Sequence, residues 1–131
     1  MRIIRPVSWL TAARKAFEGF PEGAREIVLD ALSLAAEGGK AGITKPMKGL
    51  GSGVFEIALP FRGNAFRVVY AVQIGDDLWV IHAFQKKSTQ GIIKEKPKYV
   101  LCERRLLSLI VRVIRTHLHY LVIRHRNMKS I

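Results

Sequence analysis

The middle third of this 131-residue sequence combines several basic side chains with one imidazole and one phenol. Groups of these types could neutralise a crowded phosphate and move protons to and from its oxygens, which is what metal-independent cleavage of RNA requires. The candidates for this chemistry lie in the segments FRVVYAV and VIHAFQKKS and are Arg67, Tyr70, His82 and Lys86. Further positive charge that could bind a phosphate backbone comes from nearby positions, namely Lys45, Lys48, Arg62 and Lys87.

Strand alternation limits how these groups can converge. In a regular strand His82 and Lys86 point to one side, while Arg67 and Tyr70 have opposite parity, so the full set needs a bulge or a strand end. Each residue also has a structural interpretation. His82 could be a hydrogen-bonded core residue, Tyr70 could pack with a satisfied hydroxyl, and Arg67 could pair with Glu56 on the neighbouring strand.

Other chemistries have weaker support in the sequence. A single cysteine, Cys102, excludes an intrachain disulfide and a multi-cysteine metal site, and is typical of the reducing cytoplasm. His117, His119 and His125 are loosely spaced and have no acidic ligand nearby, so no metal and no cofactor is predicted. The glycine-rich residues 49–53 lack the following helix and the lysine–hydroxyl pair of a nucleotide-binding loop.

Positive charge is concentrated in the C-terminal third. The net charge is +12, and residues 86–131 hold 12 Lys and Arg against 2 Asp and Glu, whereas residues 1–85 hold 10 against 8. Such a field attracts polyanions, which favours nucleic acid or the ribosome as a partner over a lipid surface or a generically basic face. The N-terminus lacks an apolar run of signal-peptide length, so a cytoplasmic protein is expected.

The first part of the sequence predicts a short edge strand and a helical hairpin. Pro6 suits an edge strand because proline cannot donate to a central ladder. Ser8 or Thr11 could cap a first helix that runs through Phe17, and Pro21 suits the first turn of a second helix. Apolar residues at three- and four-residue steps predict the buried face of that second helix: Ile27, Val28, Ala31, Leu34 and Ala35.

Three strands are predicted in quick succession after a basic, glycine-rich loop over residues 40–53. They cover residues 54–59, 65–73 and 78–85, and their short connections favour an antiparallel meander. A single α+β domain over residues 1–131 follows, with the helical hairpin packed on a mainly antiparallel sheet of about four strands and a C-terminal helix.

A C-terminal helix is predicted from Tyr99 onward, after a connector over residues 88–98. Its predicted apolar face consists of Leu106, Leu107, Ile110, Val113, Ile114, Leu118, Leu121 and Val122. The opposite face consists of Arg105, Ser108, Arg112, Arg115, Thr116 and His119. Two arginines and two histidines inside residues 106–123 make membrane spanning costly, so we expect no membrane partner and a helix packed on the sheet or on a second chain.

The stretch KPMKGLGSGVFEIALPFRGNAFRVVYAVQIGDDLWVIHAFQKKSTQGI resembles the phage-derived branch of the RelE/HigB-like toxins of type II toxin–antitoxin systems. Its motifs are a Lys-x-x-Lys-Gly loop, an aromatic-Glu-Ile strand, a Phe-Arg-x-x-Tyr strand and a His-x-Phe-x-Lys-Lys strand end. The resemblance covers residues 2–92. It implies a compact α+β fold, cleavage of messenger RNA on the ribosome, and inhibition by a helix-turn-helix antitoxin.

Position by position, the resemblance assigns roles to several of the candidates. Arg67 and Lys86 would steady the phosphate, and His82 or Tyr70 would transfer protons or stack a base. Lys87 matches a further basic position of the family, and the loop lysine is matched by Lys48.

Two features depart from the family pattern. Ala58 replaces an arginine of many relatives, a charge that Arg62 could supply. Residues 92–131 form an atypical tail, which could be an altered end or a surface for self-association. A non-cleaving binding module of the same fold and a ParE-like gyrase inhibitor therefore remain as alternative functions.

Overall fold

The computed structural model describes residues 4–72, 74–86 and 96–129. Over these ranges the chain forms three helices and five strands in an α+β arrangement, in which four of the strands follow one another without an intervening helix. The helices are α1 (Thr11–Glu18), α2 (Glu22–Ala36) and α3 (Lys96–Lys129). The strands are β1 (Val7–Trp9), β2 (Thr44–Pro46), β3 (Val54–Phe61), β4 (Asn64–Ala71) and β5 (Leu78–Lys86).

The strands form one mixed sheet in the order β1-β5-β4-β3-β2. The predicted antiparallel meander of β3, β4 and β5 is confirmed, and β1 is the predicted edge strand, paired parallel to β5. The sheet has five strands where about four were expected. The additional strand, β2, lies inside the loop predicted over residues 40–53 and pairs antiparallel with β3. Its three residues are too few to show an alternating pattern.

A β-bulge interrupts the pairing of β4 with β5. Val69 is paired with His82, whereas the next residue, Tyr70, is paired with Val80, so Ile81 is an extra residue in β5. Ile81 packs in the core under α3, and His82 contacts a residue of that same helix. The bulge therefore turns two consecutive side chains to the α3 side of the sheet, which regular alternation does not allow.

Helices α1 and α2 cover one face of the sheet, as predicted. Val28, Ala31 and Ala35 are buried there, but Ile27 and Leu34 are 39% and 40% exposed, so the predicted inner face of α2 was partly wrong. Burial instead continues along the helix through three other residues, Ala24, Leu32 and Ala36. These six positions recur at steps of four, three and one, so α2 is rotated slightly relative to the face that the sequence predicted.

The capping predicted for α1 is wrong. The N-cap position is Leu10, which makes no side-chain cap. Ser8 instead donates its hydroxyl hydrogen to Asp77 Oδ2 at 2.6 Å, and Thr11 is the first residue of the helix. The Ser8 side chain therefore joins β1 to the segment before β5 rather than ending the helix.

Helix α3 covers part of the opposite face. It begins at Lys96, three residues before the predicted start, and its side chains Cys102, Leu106 and Leu109 are buried against the sheet. The predicted apolar face is only partly buried, because Leu107, Ile114 and Leu118 are 53–56% exposed. The side chains of residues 121 and 122 lie outside the described part. Within the ranges described, no helix is both long enough and apolar enough to cross a membrane.

Candidate functional site

The register of β4 and β5 brings three of the four predicted catalytic residues to one face of the sheet. Arg67 is paired directly with Phe84, and His82 and Lys86 lie two residues to either side of Phe84 on the same strand. Directly paired residues of an antiparallel ladder, and residues two apart on one strand, share a face. Arg67, His82 and Lys86 therefore lie on the face that α3 covers in part, and all three are partly exposed. We call this surface, with Phe84, the basic face.

An ion pair fixes the position of Arg67. Its Nη1 lies 3.0 Å from Glu56 Oε1, and the two side chains are 18% and 9% exposed, which confirms the predicted pairing across β3 and β4. Glu56 Oε2 and Arg67 Nε are buried and have no hydrogen-bond partner among the described residues. The guanidinium is thus held against the sheet by one charged contact, with part of its hydrogen-bonding capacity unused.

His82 is held by contacts from two directions. Its ring is stacked on Phe84, with ring centroids 4.8 Å apart and an interplanar angle of 27°. Arg105 of α3 places Nη1 2.8 Å from His82 Nδ1, and the same nitrogen donates to the carbonyl oxygen of Ile81 at 2.9 Å. The sequence had assigned Arg105 to the solvent-facing side of its helix. Helical periodicity does not reveal how α3 is rotated on the sheet, so this contact was missed.

Tyr70 does not share this surface. It is paired with Phe55 on β3 and with Val80 on β5, and it is 2% exposed in the core under α1 and α2. Burial raises the pKa of its phenol above the ordinary value of 10.0, so the hydroxyl keeps its proton to a higher pH than an exposed tyrosine does. The structure thus separates Tyr70 from Arg67 and His82 by the thickness of the sheet.

Two of the predicted RNA-binding residues, Lys45 and Lys48, lie at the β2 edge of the sheet. Lys45 on β2 is paired with Glu56, so it extends the row of charged residues toward the sheet edge. Lys45 and Lys48 line a cavity of about 400 Å³ together with Pro46, Met47 and Glu56. Lys87 lies outside the described residues.

Arg62 is part of the two-residue turn that joins β3 to β4. Both Arg62 and Gly63 have positive φ angles, 50° and 80°, which is the type I′ geometry typical of short hairpins. The turn is at the same end of the sheet as Lys86, which is paired with Ala65 at the start of β4. The Arg62 guanidinium lies 5.2 Å from the centroid of the Phe61 ring.

A second cavity is lined by Arg105, the residue of α3 that contacts His82. It has a volume of about 380 Å³ and lies between α3 and the start of α1. Its charged lining consists of Arg104, Arg105 and Arg112, and no acidic side chain lines it. Arg105 therefore connects this cavity with His82. In the part of the chain that the structure describes, no three His, Cys, Asp or Glu side chains are grouped as a metal site requires.

Comparison with known proteins identified one family. The family model described as phage derived protein Gp49-like (DUF891) matches residues 15–101. This range includes β2 to β5 and all the predicted site residues, and it ends six residues into α3. A search of curated proteins found no match to the chain.

Proposed function

Because the chain belongs to the phage-derived Gp49-like family, we propose that it is the toxin of a type II toxin–antitoxin system and that it cleaves messenger RNA on the ribosome without a metal ion. Membership of this family is consistent with a toxin. The more specific assignment, that this toxin cleaves RNA, is supported by the basic face. A helix-turn-helix antitoxin that silences the toxin is part of the same proposal.

The convergence of Arg67, His82 and Lys86 on one partly exposed surface is the observation that carries this proposal. A phosphodiester that is attacked at phosphorus gains negative charge on its non-bridging oxygens, and cations and hydrogen-bond donors fixed beforehand stabilise that charge. Arg67 is fixed by Glu56 and His82 by Arg105 and Phe84, so neither side chain needs to reorganise when the charge develops.

The reaction that suits this surface is attack of the ribose 2′-oxygen on the neighbouring phosphorus. A bond forms between O2′ and phosphorus, and the bond from phosphorus to O5′ breaks, which leaves a 2′,3′-cyclic phosphate and a 5′-hydroxyl. The O2′ proton leaves to water, and the Lys86 ammonium gives a proton to O5′ and is reprotonated by water. Arg67 and Lys86 neutralise the phosphate during the step.

Binding of the RNA backbone falls to the residues around the basic face. Lys45 and Lys48 lie on the β2 side, and Arg62 lies at the hairpin turn near Lys86. Lys87, the next residue along the chain, has the same proposed role. Phosphate contacts of this kind supply affinity that depends on salt and not on base sequence.

Induced expression in bacteria that lack an antitoxin tests the proposal. We expect growth arrest with loss of messenger RNA, relieved by Lys86→Ala. With purified protein, ribosomes and messenger RNA, we expect Lys86→Ala to reduce cleavage by about 100-fold, the usual effect of removing a group that stabilises transition-state charge. The matched control is Lys15→Ala, which removes an exposed lysine from α1.

The same experiment identifies the two alternatives. Arrest with DNA damage and intact messenger RNA would indicate a gyrase inhibitor and contradict the proposal. Absence of arrest from a folded protein would indicate a binding module that does not cleave, and would contradict it as well.

A further inference from the structure

We infer that Arg105 is a positioning residue for His82: it holds the imidazole as the neutral tautomer whose proton is on Nε2. Arg105 lies in α3, four residues beyond the end of the family match, so the inference assigns a function to a part of the chain that the family does not explain. The significance for cleavage rests on the proposed function, whereas the tautomer is a property of the folded protein alone.

The direction of the hydrogen bond follows from the chemistry of the two groups. A guanidinium remains protonated in proteins and has only N–H donors, so Arg105 Nη1 cannot accept a hydrogen from the ring. At 2.8 Å from Nη1, His82 Nδ1 must therefore be the acceptor, and an accepting ring nitrogen bears no proton. The proton of the neutral ring is then on Nε2.

Charge favours the same state. Protonation of Nδ1 would direct an N–H group at the Arg105 N–H and bring two cations to hydrogen-bond distance. Both effects oppose an imidazolium while the contact is intact.

The geometry is fixed by the way α3 docks on the sheet. Cys102 and Leu109 lie on either side of Arg105 along the helix and are 0% and 1% exposed. The bulge at Ile81 turns Ile81 and His82 to the same side, so one guanidinium nitrogen reaches both the Ile81 carbonyl and the His82 ring. Arg105 is thus attached to a buried segment of helix, and its contact with His82 is more than a chance approach of a long surface side chain.

This tautomer determines what His82 contributes. With its proton on Nε2, the ring donates a hydrogen bond at that nitrogen, and it cannot accept the 2′-hydroxyl proton there. The family resemblance suggests proton transfer or base stacking for His82. The tautomer disfavours proton transfer at Nε2, and we assign the ring to hydrogen bonding with a phosphate oxygen instead. Loss of α3 docking would release the ring even though every family-matched residue remained.

Ring ¹⁵N chemical shifts of the full-length protein test the inference without any substrate. The chain has four histidines, so the His82 signals are assigned with the His82→Gln variant. At neutral pH we expect Nδ1 of His82 in the range of an unprotonated nitrogen and Nε2 in the range of a protonated one. In Arg105→Met, which keeps an aliphatic stem but has no donor, we expect the Nδ1 signal to move toward the protonated range. Arg115→Met, which removes an exposed arginine of α3, serves as the matched control and should leave both signals unchanged.

A wild-type Nδ1 signal in the protonated range would overturn the inference, and so would His82 signals that are the same in wild type and Arg105→Met. Circular dichroism of each variant separates a local effect from unfolding. If Arg105→Met unfolds, Arg105→Lys replaces it, because a shorter cation alters the donor geometry and still shifts Nδ1.

A double-mutant cycle then relates the contact to RNA. We expect Arg105→Met alone to reduce cleavage by about tenfold, the equivalent of one lost hydrogen bond. In a His82→Gln background the same change should reduce cleavage by less than about twofold, because its effect is transmitted through the ring. Additive losses would mean that Arg105 acts without His82, and would contradict the positioning role. Absence of cleavage with the expected NMR signals would contradict the proposed function and leave the tautomer assignment intact.

Discussion

The two faces of the sheet differ in how completely they are covered, although the same five strands build both. Under α1 and α2 the face is apolar over most of its area, with Val68 and Val80 at 0% exposure and Ala83 at 2%. Under α3 the face is apolar only near the buried part of the helix, and farther along it bears partly exposed charged residues. Adjacent residues of one strand thus have different functions: Val68 packs in the core, whereas Arg67 lies on the basic face.

This difference indicates how the fold can hold a charged site with only a moderate loss of stability. Alternation along a strand lets one face supply the apolar burial that stabilises the domain, while the other face keeps polar groups close to solvent. Substitutions on the two faces should therefore separate stability from RNA cleavage.

The largest expected loss of stability comes from a substitution on the face that α1 and α2 cover. Leu32 is 1% exposed, and Leu32→Ala should lower the free energy of unfolding by about 3 kcal/mol, because it removes buried apolar surface and leaves a cavity. Urea denaturation measures the change. Leu29 on the same helix is 46% exposed, so Leu29→Ala should cost less than about 1 kcal/mol. Equal losses for the two variants would contradict the assignment of this face to stability, as would a cleavage rate that falls more than the folded fraction does.

On the basic face, the Arg67–Glu56 ion pair should contribute less to the free energy of unfolding than a core leucine does, and more than an exposed ion pair does. Glu56→Ala leaves the mostly buried Arg67 guanidinium without its counter-charge, and we expect a loss of about 2 kcal/mol, below the range for fully buried pairs because Arg67 is 18% exposed. Arg14 and Glu18 on α1 form a pair of similar length, 3.1 Å, with side chains 69% and 58% exposed. Glu18→Ala should therefore cost less than about 0.5 kcal/mol in the same urea assay. Similar losses for the two glutamates would mean that burial does not distinguish these pairs.

Much of the fold could be predicted because it depends on local patterns. Apolar residues at helical spacing, such as Val28, Ala31 and Ala35, identified α2, and alternation with short turns identified the meander. The ion pair between Arg67 and Glu56 was also predictable, since neighbouring strands of a hairpin have a register that the turn fixes.

The remaining features depend on contacts between distant parts of the chain. The bulge at Ile81 and the parallel pairing of β1 with β5 involve strands that meet only in the folded sheet, and no local motif marks either of them. The same holds for Arg105, whose contact with His82 depends on how α3 is rotated on the sheet. Strand parity placed Arg67 and Tyr70 on opposite sides, but the sequence does not reveal where a bulge lies. Tyr70 therefore stays among the candidates until the structure shows that the bulge is in β5 and not in β4.

The smallest effect that we predict is a contribution of Tyr70 to the pH dependence of stability, and it tests whether Tyr70 belongs to the buried face. Burial raises the pKa of its phenol in the folded protein, so above pH 10.0 the unfolded chain loses a proton that the folded protein keeps. The unfolded state binds fewer protons in this range, and stability therefore falls as the pH rises through it. Below the ordinary pKa of the phenol, both states are protonated and Tyr70 contributes no pH dependence.

Urea denaturation at a series of alkaline pH values tests this sign. Between about pH 10 and 11, wild type should lose stability more steeply than Tyr70→Phe, by at most about 1.4 kcal/mol per pH unit. Tyr99 and Tyr120 are present in both proteins, so the difference between the two slopes isolates Tyr70. Parallel slopes would mean that the Tyr70 phenol ionises as easily in the folded protein as in the unfolded chain. Such a phenol would have to reach solvent, and Tyr70 would then no longer belong to the stabilising face.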